Sequence, residues 1–220
     1  MAIFKSTREN SVALTWALAA MSIAFLNACV SVLPEPTAPD ALIQIPASRG
    51  GSDASLSADI SVFTPEASRA LSGVDIAVSD AGALRYLKRV KWADASPRLL
   101  QASLVDALTA LGGPGHAFSA QTATRADFEV RWRISELSVS PKMGPARVAA
   151  RVSVLDARTR RVIDETQLRA SVAPATQQQS DRAEALAEAA QILSEDAAAF
   201  VAGAAASATN SAPISAQSET

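Results

Sequence analysis

The run from Asp127 to Ile134 constrains this chain more than any other segment. Phe128, Val130, Trp132 and Ile134 alternate strictly with Asp127, Glu129, Arg131 and Arg133. A period of two is that of a β-strand, so the apolar side chains share one face and the charged ones the other. Such a strand belongs in a sheet with a core on one side and water on the other. The apolar positions then shift by one residue, to Leu137 and Val139, which predicts a bulge near Ser135 and Glu136. Arg147 to Leu155 repeats the pattern with Val148, Ala150, Val152 and Val154 inward, Asp156 to Arg160 supplies a turn, and Val162 to Val172 returns. These three strands make an antiparallel meander.

Upstream, Leu56, Ala58, Ile60 and Val62 alternate as far as Thr64-Pro65 and predict a first core strand. Val74 to Val78 ends at a turn over Ser79 to Gly82, and Leu84, Tyr86 and Leu87 lie in a less regular segment reaching Trp92. Ser96-Pro97 opens a helix, with Ser96 as N-cap and Pro97 at the first helical position. Leu100, Leu104, Leu108 and Leu111 form its apolar stripe, and Gly112-Gly113-Pro114 ends it. A phosphate loop would precede a helix, whereas this glycine-rich stretch follows one.

A second helix is expected from about Asp181, with Glu184 completing a capping box. Leu186, Ala190, Leu193, Ala197 and Phe200 recur on one side, and Glu184, Glu188, Gln191 and Glu195 line the other. Gly203 reads as its end, and residues 204–220 as a disordered tail. The expected fold is α+β, an antiparallel sheet packed against two main helices.

At the amino end, Lys5 and Arg8 precede an uncharged apolar run, Ser11 to Leu26, as in an export signal. Leu26-Asn27-Ala28-Cys29 resembles the lipobox of bacterial lipoproteins, Asn27 being the less usual residue. That resemblance implies cleavage by a signal peptidase that recognises Leu26, Asn27 and Ala28, and fatty acylation of Cys29. Two or three acyl chains, at roughly 0.8 kcal/mol per buried methylene, hold a protein firmly on a membrane. The competing readings are an uncleaved transmembrane anchor, for which the apolar run is long enough, and a cysteine buried by chance. Cys29 is the only cysteine, so lipidation leaves no thiol for disulfides, metals or nucleophilic catalysis. The reading divides the chain into a signal peptide (1–28), an acylated cysteine and Pro/Ser/Gly-rich tether (29–55, with one short strand near 41–45), a domain (56–203) and a tail (204–220). Val30 stands where inner-membrane lipoproteins usually carry Asp, which favours the outer membrane by resemblance to that sorting rule.

Little in the sequence points to catalysis. There is no Walker-type phosphate loop and no nucleophile elbow, and the one histidine, His116, lies in a glycine-rich loop with no evident orienting neighbour. The pairs Asp164-Glu165 and Glu195-Asp196 are unconvincing dyads, since adjacent strand residues face opposite ways. No cofactor or metal is expected. The mature chain carries 18 basic and 21 acidic residues once Lys5, Arg8 and Glu9 are removed, and the arginines are scattered along strands, so nucleic acid is not an expected partner. Trp132 reads as core. Tyr86 and Trp92 are the candidates for a partner surface, Trp92 either packing under the first helix or presenting its edge.

The order of parts, with Arg89-Val90-Lys91-Trp92-Ala93-Asp94 leading into the Leu-rich helix, resembles the ABC-type transport auxiliary lipoprotein family. That family typically has Arg where this chain has Lys91, and commonly glycine where Val154 to Ile163 here carries Arg160. The resemblance implies a non-catalytic lipoprotein beside an MCE-domain protein and its ABC permease and ATPase, moving lipids or hydrophobic compounds between two membranes. An outer-membrane assembly or envelope-structure lipoprotein is the alternative.

Overall fold

The computed structural model describes residues 38–50, 54–122 and 125–211. The expected signal peptide, the lipobox-like stretch with Cys29, most of the expected tether and residues 212–220 lie outside them. In chain order the elements are β1 (Ala41–Ile43), β2 (Ile60–Val62), β3 (Asp75–Asp80), β4 (Ala83–Trp92), α1 (Ser96–Ala110), β5 (Ala117–Ser119), β6 (Phe128–Val139), β7 (Ala146–Asp156), β8 (Val162–Val172) and α2 (Gln179–Ser211).

β6 is the axis of an eight-stranded sheet. One of its edges is taken along its whole length by antiparallel β7, which pairs in turn with β8. The other edge is shared by parallel partners, β2 against Phe128 to Val130 and β3 against Ser138 and Val139, with a bridge from Glu66 to Arg133 between them. β4 and β1 extend the sheet beyond β3, and β5 extends it beyond β2. The meander is antiparallel as expected. The short amino-terminal strands add in parallel, which makes the whole sheet mixed.

The register of β6 on β7 slips between Ile134 and Glu136. Ser135 is the extra residue, and its hydroxyl donates to the Ala149 carbonyl at 3.2 Å. The slip keeps Leu137 and Val139 on the apolar face after Ile134, so the strand bends without turning its core side to water. The β3–β4 hairpin closes through Ala81 and Gly82, both with positive φ, as a two-residue hairpin loop of the I′ type requires.

Both helices cover one face of the sheet. Leu100, Leu104 and Leu108 of α1, and Leu186, Leu193 and Val201 of α2, are buried against Val130, Trp132, Val152 and Val154. The Trp132 indole N–H donates to the Phe63 carbonyl at 2.8 Å, satisfying the polar edge of a core aromatic.

Several expectations are corrected. Ser96 does not cap α1, for the preceding residue is Ala95 and the Ser96 hydroxyl instead donates to the Leu71 carbonyl, tying the 67–73 loop to the helix. α2 starts at Gln179, ahead of Asp181, whose carboxylate accepts a bond from Thr176 in place of the expected reciprocal box. Gly203 does not end α2, which continues to Ser211, with Ala204 and Ala205 buried. The alanine-rich sequence beyond Gly203 has high helix propensity and a surface to pack on, which outweighs the roughly 1 kcal/mol disfavour of one internal glycine. β5, only three residues long, has no legible periodicity in the sequence.

The tether also joins the fold earlier than expected. β1 pairs with β4, and residues 47–49 lie across the polar side of α2. Ser48 and the Arg49 amide donate to Glu195, the Arg49 guanidinium meets Glu188 at 2.9 Å, and the Gln191 side-chain amide donates to the Ala47 carbonyl at 3.0 Å. Gln191 is therefore buried although it belongs to the helix's polar stripe.

Candidate partner-facing surface

The sheet face away from the helices is set by the same alternation that builds the core. Cross-strand rows run Arg131, Ser153, Glu165; then Arg133, Arg151, Gln167; then Glu136, Ala149, Arg169; then Ser138, Arg147, Ser171. Ala77 pairs with both Ser138 and Tyr86, which carries the last row on to β4.

Charge on this face is paired unevenly. Glu129, 7% exposed, is gripped by Arg160 at 2.8 Å and Arg131 at 3.3 Å. Arg131 also lies over the Phe63 ring, 4.3 Å from its centroid. Arg133 and Arg151 stand directly opposite one another, an arrangement that is unfavourable unless each charge is compensated. Glu66 answers Arg133 through both Nε (3.0 Å) and Nη2 (2.6 Å), and Glu165 answers Arg151 more loosely at 3.6 Å. Arg169 is exposed and has no ion-pair partner among the described residues.

Two grooves follow these rows. One, of about 520 Å³, is lined by Glu66, Arg131, Arg133, Ser135, Arg151 and Gln167 among others. The next, of about 410 Å³, shares Ser135 and Gln167 and adds Leu71, Leu84, Glu136 and Arg169. A third cleft of about 940 Å³ lies at the start of β6, between Phe63, Arg125, Asp127, Asp156 and Arg158, with Ala208 and Thr209 of α2 on its rim. Shallow, hydroxyl- and guanidinium-lined grooves of this kind suit polar recognition better than enclosure of a substrate.

Tyr86 is 44% exposed on the open face, with its hydroxyl donating to the Ala70 carbonyl at 3.3 Å. Trp92 is 2% exposed; it pairs with Ile43 of β1 and belongs to the core, so its ring is withdrawn from any partner. Trp132 is core as well. His116 does have an orienting neighbour, for Asp59 Oδ1 accepts its backbone N–H at 3.0 Å and sits 3.1 Å from its Nδ1. The two residues are 57 positions apart, so nothing local in the sequence could reveal the pair. Among the described residues no group of three His, Cys, Asp or Glu side chains is placed to hold a metal ion.

The ionisable pair Glu195-Asp196 is split by its surroundings. Burial pushes against ionisation of Glu195, yet the Arg49 amide, Gln191 and Ser48 together hold its carboxyl below the usual glutamate range. Asp196 is raised, first by burial and then by the charge of Glu195.

The family model described as ABC-type transport auxiliary lipoprotein component matches residues 41–202. The chain belongs to that family. No curated protein gave a match. Among solved structures, a Xanthomonas campestris protein is similar at a TM-score of 0.68 and 16% identity, covering 77% of this chain and 98% of its own. A second crystal structure, of an uncharacterized protein, is similar at 0.58 and 12% identity, covering 74% and 97%. At such identities the likeness establishes the fold. Membership gives the chain a lipoprotein's membrane attachment and an auxiliary place in an ABC-type transport system. No helix among the described residues is long and apolar enough to cross a membrane.

Proposed function

We propose that this family member is a non-catalytic outer-membrane lipoprotein, anchored by acyl chains on Cys29, that holds the periplasmic end of an MCE-type ABC system moving lipids or other hydrophobic compounds between two membranes. The observation that carries the reading is the family match over residues 41–202. The lipobox, Leu26 to Cys29, supports the anchor, and Val30 supports the outer membrane. In this reading the permease, ATPase and MCE-domain protein belong to other chains. This chain supplies position and a docking surface, for which Tyr86 and the arginine rows of the open face are the candidates.

The test is purification of the native, crosslinked lipoprotein from membranes. Recovery of an MCE-domain protein and its ABC partners supports the proposal, and recovery of the lipoprotein without them overturns it. A Cys29→Ala variant is expected to accumulate as precursor or to leave the membrane fraction; unchanged fractionation would refute the anchor.

A further inference from the structure

The row Glu136, Ala149, Arg169 differs from its neighbours on the open face. β7 gives Arg147, Arg151 and Ser153 to the flanking rows and only a methyl group to this one. Glu136 and Arg169 stand two strands apart, about 9–10 Å between Cα atoms, with Ala149 between them in the ladder. They do not close on each other. Neither the Glu136 carboxylate nor the Arg169 guanidinium has a hydrogen-bond or ion-pair partner among the described residues. The groove of about 410 Å³ lies over this gap, and these two residues are its one anionic and one cationic lining side chain. Ser138 lines it as well, and although that residue is only 4% exposed, its hydroxyl has no partner among the described residues. A polar group so placed ordinarily bonds to protein, ordered water or a ligand.

We infer that this groove binds a small zwitterion, with a primary ammonium on Glu136 and Ser138, an oxyanion on Arg169, and a short link over Ala149. A lone anion would leave Glu136 unanswered and a lone cation would leave Arg169 so, whereas a zwitterion meets both charges at once. An ammonium brings three donors and no acceptor, which suits a carboxylate with a hydroxyl oxygen beside it on the same strand. At the other end Gln167, two residues before Arg169 on the same face, adds a side-chain amide to the guanidinium fork. Leu84, 46% exposed, and Leu71 give the methylenes of the link an apolar wall. The volume falls among those of small-molecule sites, roughly 300–1,000 Å³. The inference goes beyond the proposed docking role and does not depend on it. Two sources present this chemistry, the aminoalkyl phosphate headgroup of a lipid and a free amino acid.

Titration calorimetry on the full-length protein in a non-ionic detergent provides the test. The zwitterionic probes are glycerophosphoethanolamine and β-alanine, and the single-charge controls are inorganic phosphate and ethanolamine. At least one zwitterion should bind roughly tenfold more tightly than either control, the difference that one charge-assisted contact makes. Preference for glycerophosphoethanolamine assigns the lipid headgroup, and preference for β-alanine the amino acid. Glu136→Gln and Arg169→Gln, both on the surface, should each remove that advantage while leaving the melting temperature unchanged. Ser138→Ala should weaken the zwitterion and leave inorganic phosphate as it was. Phosphate binding as tightly as both zwitterions, indifference of the zwitterion to Glu136→Gln, or no binding of either zwitterion would each overturn the inference.

Discussion

The guanidinium of Arg160 reaches from the β7–β8 turn to the buried carboxylate of Glu129, 31 residues earlier, and meets it at 2.8 Å. Arg160 does so from a left-handed backbone, φ 62°. The turn is held by Asp156, whose carboxylate accepts the Thr159 amide and hydroxyl at 2.6 and 2.8 Å. One residue thus accepts backbone strain and compensates a buried charge.

Replacing Arg160 separates these contributions. Arg160→Ala should destabilise by about 1–2 kcal/mol, since Glu129 keeps only the longer Arg131 contact; the 60% exposure of the Arg160 side chain limits the loss. Arg160→Gly loses the same bond and also the left-handed strain of roughly 1 kcal/mol, so it should be the more stable variant in urea denaturation. The reverse order would show that the strain is negligible.

Gly115 should tolerate no side chain. A Cβ there would lie 2.3 Å from the Ala58 carbonyl oxygen and 2.6 Å from its nitrogen, and backbone cannot swing aside as a side-chain tip can. Gly115→Ala is expected to cost about 1–3 kcal/mol and to loosen residues 54–58 from the loop after α1, read as a lower melting temperature.

Acid should release the segment at 47–49. Glu195 titrates below its ordinary 4.5 in the folded protein, so its contribution is present above that pH and disappears as pH falls through the lowered value. Asp196 has the opposite sign. Raised above 3.8, it disfavours the folded state once ionised and is relieved by acid. Hydrogen exchange at Arg49 should therefore quicken on acidification beyond the intrinsic pH trend, and Glu195→Gln should make it fast already at neutral pH. An Arg49 amide protected equally in both proteins would contradict the assignment.

Truncation after Gly203 should lower stability in spite of the tail-like sequence. It removes Ala204 and Ala205, both buried, along with the Thr209 side-chain bond to the Ala205 carbonyl. A loss of about 1–2 kcal/mol is expected from the apolar area alone. Removal of residues 212–220 serves as the comparison and should have a smaller effect.

Which parts of this fold can be read from the sequence follows from how each is stabilised. β6 and β7 are half-buried over twelve and eleven residues, so period-two patterning fixes their faces, and the shift at Ser135 marks the bulge. β2 is the end of the alternating run from Leu56 to Val62, whereas β5 is three residues long and depends on neighbours elsewhere in the chain, which leaves no period to detect. Gln191 reads as solvent-facing because its cover, Ala47, lies 144 residues away. On the surface, the alternation foretells which arginines face outward. It cannot say that Arg133 opposes Arg151, or that Trp92 pairs with Ile43 of β1, since both depend on register between strands.

The contact between Arg49 and Glu195 spans 146 residues, nearly the length of the domain. A chain made from its amino terminus presents the Arg49 segment early and the α2 helix late. Residues 47–49 thus have no docking site until the carboxy-terminal helix has formed, whereas β1, nearer the amino terminus, pairs with β4. Closure of so long a loop is slow beside the local β6–β7–β8 meander. Docking of residues 47–49 is therefore expected to follow formation of the meander and of the long helix it rests on.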